Sequence, residues 1–118
     1  MSDTQIARHE PGALFHKVVE ANGFVFTAGV VADDLSGDAR GQAAEILSEI
    51  DRLLAICSTD KSRIVSAMIW VTDIRNRDAV NEAWNAWADK PNLPVRACVE
   101  SRLADPNMLV EIQVTAAK

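Results

Sequence analysis

Ile64-Val65-Ser66-Ala67-Met68-Ile69-Trp70-Val71 is apolar at both odd and even positions. Strand side chains alternate between the two faces of a sheet, so a segment apolar on both parities reads as a central strand covered on both sides. Before it, Ala43, Ile46, Leu47, Ile50, Leu53, Leu54 and Cys57 recur at helical spacing, with Asp38 placed as an N-cap. The spacing predicts a helix of about five turns whose apolar stripe includes Cys57 as a small core residue. After it, Val80, Ala83, Trp84 and Trp87 share one stripe of a second helix running from Arg77 to about Ala88, capped by Asn76. Two helices blanket one face of a sheet of five or six strands, but not both. The other face then needs a second subunit to cover it.

The remaining strands flank this unit. In Pro94-Val95-Arg96-Ala97-Cys98-Val99-Glu100, alternation puts Arg96, Cys98 and Glu100 on one face. In Leu109-Val110-Glu111-Ile112-Gln113-Val114, an apolar row of Val110, Ile112 and Val114 lies opposite Glu111 and Gln113. Asp105-Pro106-Asn107 between them has turn chemistry, and a hairpin is the simplest connection, with Arg96 and Glu111 on adjacent strands. Toward the N-terminus, Ile6 to Arg8 opens as a short strand and Glu10-Pro11-Gly12-Ala13 as a turn. Phe15 to Glu20 and Phe24 to Val30 read as strands joined by Asn22-Gly23, a strong two-residue hairpin signal. Phe24, Phe26 and Ala28 share one side of the later strand. Gly29 near its end marks a bulge, a close ligand approach or a simple kink. The order β-β-β-α-β-α-β-β describes an α+β mixed sheet with two helices on one face.

A chain of 118 residues is read as a single domain, 1–118, of ordinary globular composition, 48% hydrophobic and 25% charged. A net charge of −5, scattered basic residues and the lack of tyrosine argue against nucleic acid as a partner. Met1-Ser2-Asp3-Thr4 is polar, with no apolar stretch of a secretory signal, and no run approaches the roughly 20 apolar residues of a membrane helix. With Cys57 and Cys98 far apart and no CxxC, the expected setting is cytoplasmic, without a disulfide or metal. Nucleotide, serine-nucleophile and zinc-protease motifs are absent. His9 and His16 could serve as an acid–base pair for RNA cleavage but read more simply as surface residues. Asp33 and Asp34 could hold a divalent cation but read more simply as solvated loop acids.

Arg96 carries two readings from pattern alone: a structural ion pair with Glu100 or Glu111, or an anchor for a ligand carboxylate. Asn22 to Gly29, Thr72-Asp73-Ile74, Val80-Asn81-Glu82, Pro94 to Val99 and Val110-Glu111-Ile112, taken in that order, resemble the Rid family of reactive intermediate/imine deaminases, also called YjgF and formerly endoribonuclease L-PSP. The resemblance spans nearly the whole chain. It implies a chorismate-mutase-like fold and a homotrimer packed around a central barrel, with sites in the clefts between subunits. It assigns Arg96 to the substrate carboxylate, Glu111 to positioning water, and the Cys98 backbone N–H to the ligand. Phe15 stands where the best-known members carry tyrosine, and Ala28-Gly29-Val30-Val31 replaces Ser-Gly-Gln-Ile, which marks a side branch that keeps the arginine. The implied activity is cofactor-independent hydrolysis of 2-imino acids, such as 2-aminoacrylate, to 2-keto acids and ammonia. The rival expectations are a non-catalytic trimeric sensor of small 2-keto acids and, third, an endoribonuclease.

Overall fold

A computed structural model describes residues 4–118, so the polar opening Met1-Ser2-Asp3 lies outside the described residues. Six strands form one sheet: β1 (Ile6–Pro11), β2 (His16–Ala21), β3 (Phe24–Thr27), β4 (Ile64–Val71), β5 (Val95–Glu100) and β6 (Val110–Ala117). Two helices, α1 (Ala39–Ile56) and α2 (Arg77–Trp87), lie together on one face. The strand order is β1-β2-β3-β6-β4-β5, antiparallel throughout except for the parallel pair β4/β5. The architecture is thus α+β, in the predicted element order.

The local chemistry of each element is visible in its capping and turns. Asp38 caps α1 by accepting a hydrogen bond from the Gly41 N–H at 2.9 Å. Asn22 and Gly23 take positive φ, 53° and 81°, and close the β2–β3 hairpin with Ala21 paired to Phe24. Asn76 sits at the start of α2 but makes no side-chain cap. Instead, Asp73 accepts from the Arg75 N–H in the 3-10 turn Ile74–Asn76 that leads into the helix. The core lies between the helices and the sheet. Ile46, Leu47, Ile50, Leu53 and Leu54 of α1 are buried, as are Val18, Val25, Ile69, Ile112 and Val114 of the sheet. Full burial of each such side chain contributes about 1.5–3 kcal/mol.

Two expectations about the strands change. β5 and β6 do not form a hairpin, because β4 lies between them. The helical crossover through α2 returns the chain parallel to β4, as a strand–helix–strand unit requires. β6 then pairs with the opposite edge of β4, giving this apolar strand two neighbours. The Asp105 turn does form, with the Met108 N–H donating to the Asp105 carbonyl at 3.0 Å, but it turns the chain within a longer crossing. Gln42 of α1, buried at 1% exposure, braces that crossing. Its amide accepts from the Leu109 N–H at 2.9 Å and donates to the carbonyls of Asn107 and Gly37 at 3.0 and 3.1 Å.

The second change concerns β3, which stops at Thr27 rather than continuing to Val30. Phe26 pairs with Thr115, and Val30 next meets Ile112 in an isolated bridge. Residues 27–29 thus face only 113 and 114, and the extra residue makes a bulge containing Gly29.

Candidate active site

Arg96 and Glu111 occupy opposite faces of the sheet. Arg96 is in register with Ala67, which is buried under the helices, so it points to the helix side of the edge strand β5. Glu111 alternates with the buried Val110 and Ile112 and lies opposite Trp70, on the side the helices leave open. With Arg96 aligned to Ala67 and Glu111 to Trp70, two strand spacings and three residue rises put their Cα atoms about 14 Å apart. One copy of the chain therefore cannot bring both groups to one small molecule.

Arg96 is held without an anion. Its Nη2 donates to Oδ1 of Asn81 on α2 at 2.7 Å, and the guanidinium carbon lies 5.1 Å from the centre of the Trp84 ring. Among the described residues no carboxylate lies within ion-pairing distance of it. Glu100 is engaged elsewhere, accepting from the Ile74 N–H at 2.9 Å. The structural ion pair is thus not formed. Asn81 and Trp84 are the site residues that sequence reasoning missed as such. Their spacing of one helical turn, on a helix that precedes the arginine strand, was the available signal.

Glu111 rests over the bulge. A Cβ placed on Gly29 would lie 2.2 Å from Glu111 Oε2 and 2.9 Å from its Cδ, so a side chain there would displace the carboxylate. This close approach explains the glycine. Partial burial, with no cation paired to it among the described residues, pushes the Glu111 carboxyl above the usual range. A group so poised takes up and returns a proton more readily than an exposed glutamate.

Phe15, 60% exposed, and Gly29 line a cleft of about 450 Å³ together with Lys17, Glu45, Glu49 and Arg52. Ala28 stands beside it, its N–H donating to the Lys17 carbonyl at 2.8 Å. Neither Arg96 nor Glu111 lines this cleft. Cys98 is half-buried two residues after Arg96, on the same face, and packs against the core. Because β5 is an edge strand, half its backbone N–H groups point away from β4 toward any neighbouring surface. Cys57 is buried at 1% exposure, as its place on the helical stripe predicts. The loop acids are used locally: Asp34 accepts from Ser36, and the Asp33 and Asp34 N–H groups donate to Glu45. His9 is bound to Glu20 at 2.7 Å. No helix among the described residues is long and apolar enough to cross a membrane.

The sequence model of the family described as endoribonuclease L-PSP matches residues 5–118. The chain belongs to this family. A RutC family protein from Haemophilus ducreyi is 45% identical over 103 residues, covering 87% of this chain and 88% of that one. RutC family protein YoaB of Escherichia coli is 36% identical over 112 residues, covering 95% and 97%. A crystal structure of a YjgF family member from Neisseria meningitidis superposes with a TM-score of 0.92 at 37% identity, over 97% of this chain and 95% of that one. The fold is that of the YjgF, or endoribonuclease L-PSP, family.

Proposed function

We propose that the protein is an arginine-retaining Rid-type deaminase that hydrolyses small 2-imino acids to 2-keto acids and ammonia. On this reading it works as a homotrimer, in clefts that join Arg96 of one subunit to Glu111 of the next. The observation that carries the reading is Arg96: an arginine clamped by a neutral amide and an indole, with no carboxylate to neutralise it. A planar guanidinium so held offers two parallel N–H groups to a ligand carboxylate, which fixes the adjacent imine carbon. Water adds across the C=N bond, oxygen to carbon and proton to nitrogen. The carbinolamine then loses ammonia as the hydroxyl proton leaves and the C=O bond forms. Glu111 takes the proton from water and returns one to the departing nitrogen, a role suited to its raised pKa. No cofactor enters this sequence.

The second-subunit requirement has its own support. The open sheet face carries Phe24 and Phe26, 40% and 42% exposed, with Met68, Trp70, Val95 and Val99, a patch fit for burial against copies of the chain. Phe15 lining the cleft and Ala28 beside it, both apolar, favour the rival reading, a trimer that binds a 2-keto acid without turnover. The test is an assay in which purified protein meets 2-aminoacrylate or another 2-imino acid generated in situ, with keto-acid release followed. Release faster than the uncatalysed rate supports the deaminase. Keto-acid binding without faster release establishes the sensor. RNA cleavage that co-purifies with the protein and needs His9 or His16 would replace both.

A further inference from the structure

On the opposite side of the sheet order from β5, three chemically different metal ligands converge on the helix side of β1 and β2. His9 comes from β1, Glu20 from β2, and Cys57 from the C-terminal cap of α1. One donor atom from each lies within 4.8 Å of the other two, and the His9 Nε2 to Glu20 Oε2 distance is 2.7 Å. A cysteine at the end of an apolar stripe would ordinarily face other apolar groups. Here a thiol buried at 1% exposure faces a carboxylate and an imidazole. Burial and the Glu20 charge push that thiol up to about 11. Left as a thiol it is inert; a cation placed among the three groups would convert it to a thiolate ligand.

We infer that His9, Glu20 and Cys57 form a binding site for a divalent transition metal of the zinc class. Imidazole, thiolate and carboxylate together suit that class and not magnesium or calcium, which take oxygen ligands alone. Bonds of about 2.0–2.3 Å place tetrahedral ligands about 3.3–3.8 Å apart, so donors within 4.8 Å close on an ion by small side-chain rotations. The His9 side chain is 31% exposed and Glu20 15%, which gives the ion a way in and leaves the fourth position to water. Lys118 pairs with Oε1 of Glu20, so Oε2 serves the metal and the ammonium stays on the other oxygen. Binding releases the Cys57 thiol proton to solvent, and the imidazole proton that Nε2 shares with Glu20 moves to Nδ1 through solvent, freeing the Nε2 lone pair for the ion. With neutral His9, the ligand set then has two negative charges against the two positive charges of the ion. The site uses none of the groups assigned to imine hydrolysis, so it stands or falls independently of that reading.

The probe is cobalt(II) added to the chelator-treated full-length protein near neutral pH. The expected result is one equivalent bound, with a thiolate-to-cobalt charge-transfer band and tetrahedral visible bands, both lost when zinc displaces it. Cys57→Ser abolishes the charge-transfer band and Cys98→Ser leaves it. His9→Gln and Glu20→Gln each weaken binding at least tenfold. Because Cys57→Ser perturbs a buried position, His9→Gln, a change at a partly exposed strand residue, carries the decision if the serine variant does not fold. Zinc then raises the Tm of the wild type and not of His9→Gln. Absence of a charge-transfer band, a band that survives in folded Cys57→Ser, or unchanged affinity and Tm shift in His9→Gln overturns the site.

Discussion

Arg96 tests the functional reading most directly. Arg96→Lys keeps the charge but loses the planar two-pronged contact, the stacking on Trp84 and the geometry of the Asn81 bond. Activity should fall at least about 100-fold, as a mispositioned reacting group would lead one to expect, with little change in Tm. A fully active lysine variant would remove Arg96 from the mechanism. Glu111→Gln should retain keto-acid binding and slow turnover by about 100-fold or more, since an amide cannot exchange the proton. Its stability effect has a definite sign. A carboxyl whose folded pKa is raised favours folding while protonated and loses that contribution as pH rises through the unfolded and then the folded value. Glu111→Gln should therefore raise Tm slightly near neutral pH and not near pH 4, where wild-type Glu111 is itself largely neutral. Thermal melts at the two pH values read this out, and a gain confined to acid would contradict the burial argument. Gly29→Ala should cost activity by displacing the Glu111 carboxylate, for which a Cβ leaves only 2.2 Å, while the fold persists. Wild-type kinetics in that variant would show that the carboxylate position does not matter.

At the scale of elements, both helices, the Asn22-Gly23 hairpin, the apolar run of β4 and the alternation of β5 and β6 were legible, because period and turn chemistry are local properties. The pairing of β5 was not. Asp105-Pro106-Asn107 signals a turn but carries no information about which edge of β4 the next strand will join. That choice followed from β4 needing a neighbour on each side and from α2 returning the chain in parallel. Gln42 shows the same limit: a polar residue beside an apolar stripe gives no hint that it holds a crossing strand connection. Gln42→Leu should destabilise by about 1–2 kcal/mol, because the Leu109 N–H and the Asn107 carbonyl lose their partner at a partly buried crossing. Chemical denaturation with an unchanged midpoint would show that water replaces the amide.

For the whole molecule, the open sheet face predicts a trimer mass by light scattering at micromolar concentration. A monomer at that concentration would leave Arg96 and Glu111 on opposite faces with no means of meeting, and the shared-cleft mechanism would fail with it. The sequence by itself determined the element order, the apolar stripes, the α+β class and, through five short segments in order, the family resemblance. All of these rest on the identity and spacing of neighbouring residues. Only the tertiary structure decided that Arg96 has an amide and an indole as partners instead of a carboxylate, that Glu111 lies over a glycine bulge, and that the two face opposite ways. Those facts depend on strand order and on which helix crosses which strand, contacts between residues far apart in the chain that no local periodicity encodes.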